Sequence, residues 1–197
     1  MKFLIIGHMN AITYKEVFPL IKNNKVWLGV NNNQSFVFES PYENTLEDNK
    51  KFCEQKGYNG DKYIKVPGIN WYTNLPHKKR NEKLILVKDY HGHEDDYRKY
   101  DNYDAIEVSR VVNIPKDYAG NIGVPITFLD KYNPKQFEIV GLGISNSGLE
   151  IGVKPYTEEH KKYRKEVQKR AAVNGDLYMV ENGIVKVPYA RILIKRR

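Results

Sequence analysis

The sequence predicts an α/β protein, with an α/β region over residues 1–40 that opens on a short β-α-β unit at residues 2–30, and a longer, mixed, β-rich region over residues 41–197. Three observations carry this. Residues 2–7, KFLIIG, form a nearly continuous apolar run ending in glycine, the pattern of a strand buried on both faces of a parallel sheet. A helical pattern and a second apolar run, KVWLGV at residues 25–30, follow at once, which is the order of a βαβ unit. Beyond Gly57, aromatic and β-branched residues gather in short runs separated by Pro, Gly, Asn and Asp, the composition of strands and turns.

Each element follows from local chemistry. Thr13 with Glu16 three residues later reads as a helix start, Val17, Leu20 and Ile21 repeat at helical spacing, and Asn23-Asn24 ends the helix. Pro19 inside it predicts a kink or early stop. After a polar turn at residues 31–34 come a strand at 35–39 and a helix at 46–56 with Phe52 and Cys53 inward. Strands are expected at 63–66, 69–75, 84–88 and 105–114, with Pro67-Gly68 as a turn between the first two and residues 89–104 as a long polar loop. Pro125 opens a short helix to residue 132, and residues 136–140 form a strand. A flexible loop at 141–148 and an extended segment at 149–153 follow. Thr157 caps a helix running to residue 173, which has acidic residues in its first turn and basic ones in its last. Strands at 177–180 and 184–187 flank Glu181-Asn182-Gly183, a hairpin signal, and residues 189–195 form the last strand.

With 41% hydrophobic residues in 197, the chain can bury one substantial core. Thirty-two Lys and Arg against 24 Asp and Glu give a net charge of +8, which fits a polyanionic partner. Much of the basic excess lies in residues 154–170 and 191–197, whereas 43–54 is acidic on balance. No apolar run reaches membrane-spanning length, so a soluble, cytoplasmic protein with no membrane partner is expected. A single cysteine, Cys53, excludes an internal disulfide and a cysteine-cluster metal site.

Most motif-like stretches read as ordinary structure. Gly141-Leu142-Gly143 follows a strand but leads into residues expected to be extended, so the helix that must open a cofactor loop is missing from the expectation. His91, His93, Glu94, Asp95 and Asp96 cluster nitrogen and oxygen donors without supporting geometry, and no metal site is assigned. More informative is the interleaving of aromatic with basic residues. Asn70-Trp71-Tyr72 stands beside His77-Lys78-Lys79-Arg80, and Tyr189 precedes Arg191 and Lys195-Arg196-Arg197. Bases stack on rings and phosphates attract Lys and Arg.

Four stretches in order, KFLIIGHMNAITYKEVFPLIKNNKVWLGV from Lys2, VPGINWYTNL from Val66, YDNYDAIEVSRVVNIPKDYAGNIGVPITFLDKYNPKQFEIVG from Tyr100 and PYARILIKRR from Pro188, resemble the EcoRI-type adenine-specific DNA methyltransferases. The resemblance implies transfer of a methyl group from S-adenosylmethionine to adenine N6 in duplex DNA, within a restriction-modification system, after the base is flipped out. It also implies that residues 1–40 are the remaining part of a Rossmann-like methyltransferase sheet and that 41–197 face the DNA. The family's cofactor loop and its Asn-Pro-Pro-Phe motif have no counterpart here; the one Asn-Pro pair, Asn133-Pro134, is followed by Lys135. The chain therefore resembles a C-terminal, truncated portion that contributes DNA binding and target recognition. No catalytic or cofactor-binding residue is assigned to it, and the chain alone is expected to be inactive. By resemblance Asn10, Asn70, Trp71 and Tyr72 border the target base. Lys78, Lys79, Arg80, Arg191, Lys195, Arg196 and Arg197 are expected to meet DNA. The implied partners are double-stranded DNA and a complementary N-terminal methyltransferase subunit, whose absence would leave the first strand with an exposed edge. The competing reading is a non-enzymatic interaction protein of mobile-element origin that uses its basic surface against a protein or RNA.

Overall fold

The computed structural model describes residues 1–32 and 34–197. The first half runs β1 (Leu4–His8), a 3-10 turn (Met9–Thr13), α1 (Phe18–Lys22), β2 (Trp27–Leu28), β3 (Gln34–Glu39), α2 (Glu47–Gln55) and β4 (Tyr63–Thr73). After a 3-10 turn at Lys78–Asn81, the second half comprises β5 (Ala105–Glu107), β6 (Asn121–Pro125), a 3-10 helix (Ile126–Lys131), β7 (Phe137–Gly143), α3 (Ser145–Glu150) and α4 (Glu158–Glu166). It closes with β8 (Met179–Glu181), β9 (Ile184–Lys186) and β10 (Arg191–Arg196). The protein is thus mixed α/β, with several sheets.

β4 organises the first sheet. Its order is β1-β4-β2, with β3 continuing the β2 edge, and every pairing to β4 is antiparallel. β1 and β2 therefore run in the same direction with α1 between them in sequence, but β4 lies between them in the sheet, so they do not pair as a simple βαβ unit would. The expected turn at Pro67-Gly68 is a bulge within β4. Gln34 pairs with Ile69 and Phe36 with Val66, leaving Ser35 opposite both residues. Pro67 has no N–H to give the ladder and Gly68 adopts φ +68°, which is why the extra residue falls there. Pro19 does not kink a helix; it sits in the first turn of α1, where a missing N–H costs nothing. Thr13 caps no helix and instead donates its hydroxyl to the Asn10 carbonyl at 2.8 Å.

The apolar character of β1 suits burial on both faces, yet Leu4, Ile5 and Ile6 are 54%, 57% and 42% exposed. β1 is an edge strand, and among the described residues only β4 pairs with it.

The second sheet has the order β5-β6-β10-β7, with β5 and β6 parallel and β10 antiparallel to both its neighbours. The last strand is therefore central, with Ile192, Leu193 and Ile194 fully buried. Residues 84–88 form no strand; the Gln136 side-chain amide takes a strand's place, accepting from Leu84 N and donating to Leu84 O, both at 2.8 Å. β5 stops at Glu107, and Val111–Asn113 turns as a 3-10 helix. β6 was hidden by its Gly and Pro, residues that ordinarily mark turns. Residues 126–131 are 3-10 rather than α-helical.

Residues 141–143 continue β7, and residues 145–150 form α3, so the expected flexible loop is a strand leading into a short helix. The glycines are packing devices. A side chain at Gly141 would strike Ile151, one at Gly143 would strike Leu177, and Gly148 lies directly against the Gly175 backbone. Thr157 caps α4 as expected, accepting from His160 N at 3.2 Å, but the helix ends at Glu166 and Lys169 turns left-handed with φ +53°. Asn182 and Gly183, with φ of 50° and 76°, make the expected two-residue hairpin turn. One core joins the two sheets: Ile12, Phe18, Ile21 and Tyr72 pack with Ile106, Ile122, Phe128, Phe137 and Ile192.

Candidate nucleic-acid interface

Side chains alternate along β4, which decides what its Asn70-Trp71-Tyr72 run can do. Asn70 and Tyr72 are buried on the core side, while Trp71 points to the opposite face and meets Phe36 edge-on at 6.4 Å. The Tyr72 hydroxyl donates to the His8 carbonyl at 2.9 Å and contacts the Asn70 side chain. Burial pushes its pKa up to about 12, so it remains a neutral donor. Asn10 lies just past β1, where its backbone N–H is capped by His8 Nδ1 at 3.1 Å and its side-chain oxygen accepts from the Tyr189 hydroxyl at 2.8 Å. The structure thus gathers Tyr72, with Asn70 beside it, and Asn10 around His8, and joins Tyr189 to Asn10. Trp71 is separated from them by the sheet. His8 was not singled out in the sequence, because nothing local distinguishes a histidine whose carbonyl receives a hydrogen bond from β4.

The basic residues divide into paired and outward-facing sets. Lys79 Nζ lies 2.6 Å from Asp130 Oδ1 and 2.7 Å from the Val30 carbonyl. Arg191 grips Glu107 from β5 through Nε and Nη2, the latter at 2.7 Å, and both side chains are only 11% exposed. Each of these two cations is paired with a carboxylate inside the protein. Arg80 lies over the Trp27 ring at 4.1 Å and donates to Asn24 at 2.8 Å; burial pulls its pKa down from the usual arginine range. Lys78, Lys195 and Arg197 are exposed and Arg196 half-exposed. Lys195 stands opposite Glu138 in the β10–β7 ladder.

Tertiary structure brings the two basic segments together. Phe137, which pairs with Arg196 in the β10–β7 ladder, donates its N–H to the Asn133 carbonyl at 3.0 Å, and the charges of Arg80, within the Lys78–Asn81 turn, and Arg197, just past β10, oppose the rise in the Tyr132 pKa that burial causes. Asn133 ties this region down by donating to the carbonyls of Asn81 and Glu82 at 3.1 and 3.2 Å. The result is a basic surface around the end of the Ile126–Lys131 turn.

The remaining motifs stay separate from both groups. In the acidic loop, His91 is 3.8 Å from Glu94 and His93 3.9 Å from Asp96, and among the described residues no three His, Cys, Asp or Glu groups are placed to hold a metal ion. The N-terminus of α3 is occupied, since Ser145 N donates to Asp176 Oδ1 at 2.9 Å. No described helix is long and apolar enough to cross a membrane.

The chain is 41% identical to the type II methyltransferase M.EcoRI of Escherichia coli, over all of this chain and 50% of that protein. It is 40% identical to the type II methyltransferase M.MpnI of Mycoplasma pneumoniae, over 71% of this chain and 43% of that protein. The chain thus spans about half the length of the curated relatives it matches. No solved structure matches it. The family model described as adenine-specific methyltransferase EcoRI matches residues 1–197, and this chain belongs to that family.

Proposed function

We propose that the chain is the DNA-binding and target-recognising portion of a DNA adenine-N6 methyltransferase, working on double-stranded DNA with S-adenosylmethionine held by the rest of the enzyme. The observation that carries the DNA-facing part of this reading is the basic run Lys195 to Arg197 at the end of β10, held next to the Lys78–Asn81 turn by Asn133, which bonds to Asn81 and Glu82 on one side and to Phe137, the ladder partner of Arg196, on the other. Lys78, Arg80, Lys195, Arg196 and Arg197 supply phosphate contacts, with Lys79 and Arg191 holding that surface in shape through Asp130 and Glu107. Asn10, Asn70 and Tyr72 border the flipped adenine, where amide and hydroxyl groups can read its edge. Residues 1–40 contribute to a Rossmann-like sheet, in support of which β1 and β2 run parallel with α1 as their crossover and β4 inserted antiparallel between them. Residues 41–197 form the DNA-facing region. The chain by itself transfers no methyl group, and a tritiated-methyl assay on the purified chain checks this.

Fluorescence anisotropy across a range of salt concentrations tests the DNA-facing assignment. Each phosphate contact releases counterions, so affinity falls steeply with salt and the slope flattens by about 0.9 for each contact removed. A Lys195→Ala, Arg196→Ala, Arg197→Ala variant is expected to bind more weakly with a shallower slope. Lys162→Ala with Lys165→Ala on the exposed face of α4 serves as the comparison and is expected to change little. Unchanged affinity and slope in the triple variant would transfer the basic surface to a protein or RNA partner.

A further inference from the structure

We propose that Tyr189 is a positioning residue for the target base: its hydroxyl fixes the Asn10 carboxamide so that Asn10 Nδ2 donates to a ring nitrogen of the flipped adenine. The inference rests on the reading above in which Asn10 borders that base.

The case begins with what Asn10 has left to give. Its backbone N–H donates to His8 Nδ1 at 3.1 Å, its carbonyl accepts from the Thr13 hydroxyl at 2.8 Å, and its side-chain oxygen accepts from the Tyr189 hydroxyl at 2.8 Å. Asn10 is exposed, and among the described residues nothing accepts from its Nδ2. The group of Asn10 left wholly available to a ligand is therefore a donor. Turning a carboxamide over by half a rotation exchanges its donor and acceptor ends. A phenol gives its proton to a carbonyl oxygen more readily than it takes one from an amide nitrogen, so Tyr189 selects the orientation with the oxygen inward. The other contact is also braced: the His8 ring lies against Gly68, in the bulge of β4.

Tyr189 is anchored from the second sheet. Its side chain is 58% exposed, so core packing does not explain its place. Its carbonyl accepts from Arg191 Nη1 at 2.8 Å, Arg191 is gripped by Glu107, and Ala190 and Ile192 on the same side are buried. The hydroxyl thus carries a fixed point of β10 to the turn after β1, 179 positions away in the chain. The chemistry suits a donor there. The ring nitrogens N1, N3 and N7 of adenine are acceptors, whereas the amino nitrogen must keep its electron pair for the methyl group. An outward Nδ2 holds the base by its ring and leaves the reacting amino group unencumbered.

The test measures binding of this chain to a duplex carrying one unpaired adenine, against paired and abasic duplexes of the same sequence, since an unpaired base is the least costly to flip. Wild type is expected to favour the unpaired adenine. Replacing that base by its 1-deaza, 3-deaza or 7-deaza analogue is expected to lose about threefold to tenfold for one of them, the worth of one hydrogen bond. Tyr189→Phe keeps the ring and is expected to lose the same factor, with affinity for the paired duplex and thermal unfolding unchanged. Asn10→Ala is expected to lose that factor too, and the double variant no more than either alone. In NMR spectra of the free chain, the Asn10 carboxamide N–H signals, assigned by their loss in Asn10→Ala, are expected to move in Tyr189→Phe. Unmoved signals, a preference that survives Tyr189→Phe but not Asn10→Ala, a loss that extends equally to the paired duplex, or indifference to all three deaza analogues would each overturn the proposal alone. A wild-type chain with no preference for the unpaired adenine would overturn the target-base reading, and the proposal with it.

Discussion

Arg191, which reads as a surface cation in sequence, joins Glu107 and Tyr100 in a buried charged group, with the Tyr100 hydroxyl donating to the Glu107 carboxylate. Burial and the adjacent carboxylate hold the Tyr100 proton well above the usual phenol range. Removing one member of such a pair strands the other's charge in the interior, so Arg191→Ala is expected to cost about 3–5 kcal/mol in a urea unfolding series. Arg196→Ala, by contrast, is expected to stay within about 0.5 kcal/mol of wild type, as surface changes usually do. Tyr72 gives a pH test. Its folded pKa of about 12 exceeds the unfolded value of 10.0, so its contribution to stability is complete below pH 10 and is lost as pH rises from 10 to 12. Tyr72→Phe should therefore lose less stability than wild type across that interval, measured by chemical denaturation at each pH.

At the scale of elements, glycine has two different uses that substitution separates. Gly123 lies in β6 beneath the Tyr100 ring, where an added methyl group collides with the phenol that serves Glu107. Gly183 turns the β8–β9 hairpin with φ +76° and open space around it. Gly123→Ala is an overpacking change expected to cost about 1–3 kcal/mol and to disturb the Arg191–Glu107 contact. Gly183→Ala meets only backbone strain and is expected to cost about 1–2 kcal/mol. Thermal unfolding of both variants, with a crystal structure of the first, checks the distinction.

For the whole molecule, the common core predicts joint unfolding of the two sheets. Ile12, Phe18 and Tyr72 from the first half interlock with Ile106, Phe137 and Ile192 from the second, so neither sheet can lose its cover without exposing the other's. Trp27 and Trp71 both sit in the first sheet, whereas far-ultraviolet circular dichroism reports on every element. The urea midpoints from fluorescence and dichroism are expected to coincide; an early fluorescence transition would show that the first sheet melts independently.

What the sequence by itself determined is local or regional: α/β character, the family resemblance, α2, the Thr157 cap and the Asn182-Gly183 hairpin. Each depends on residues within about one turn or hairpin of one another, or on stretches long enough to be matched as a whole. Tertiary structure decided which strands are neighbours, because pairing depends on hydrogen-bond partners far away in the chain. It placed β4 between β1 and β2, made a bulge of Pro67-Gly68 and extended β7 through Gly141 and Gly143. The same principle governs the site. Sequence marked Trp71 and Tyr72 on one alternating strand, and the packing of the sheets decided that Tyr72 faces the core and Trp71 the other side. Sequence also grouped Arg191 with the terminal cations, but it could not show Glu107 across the sheet, and a cation's availability to DNA depends on the charge already beside it.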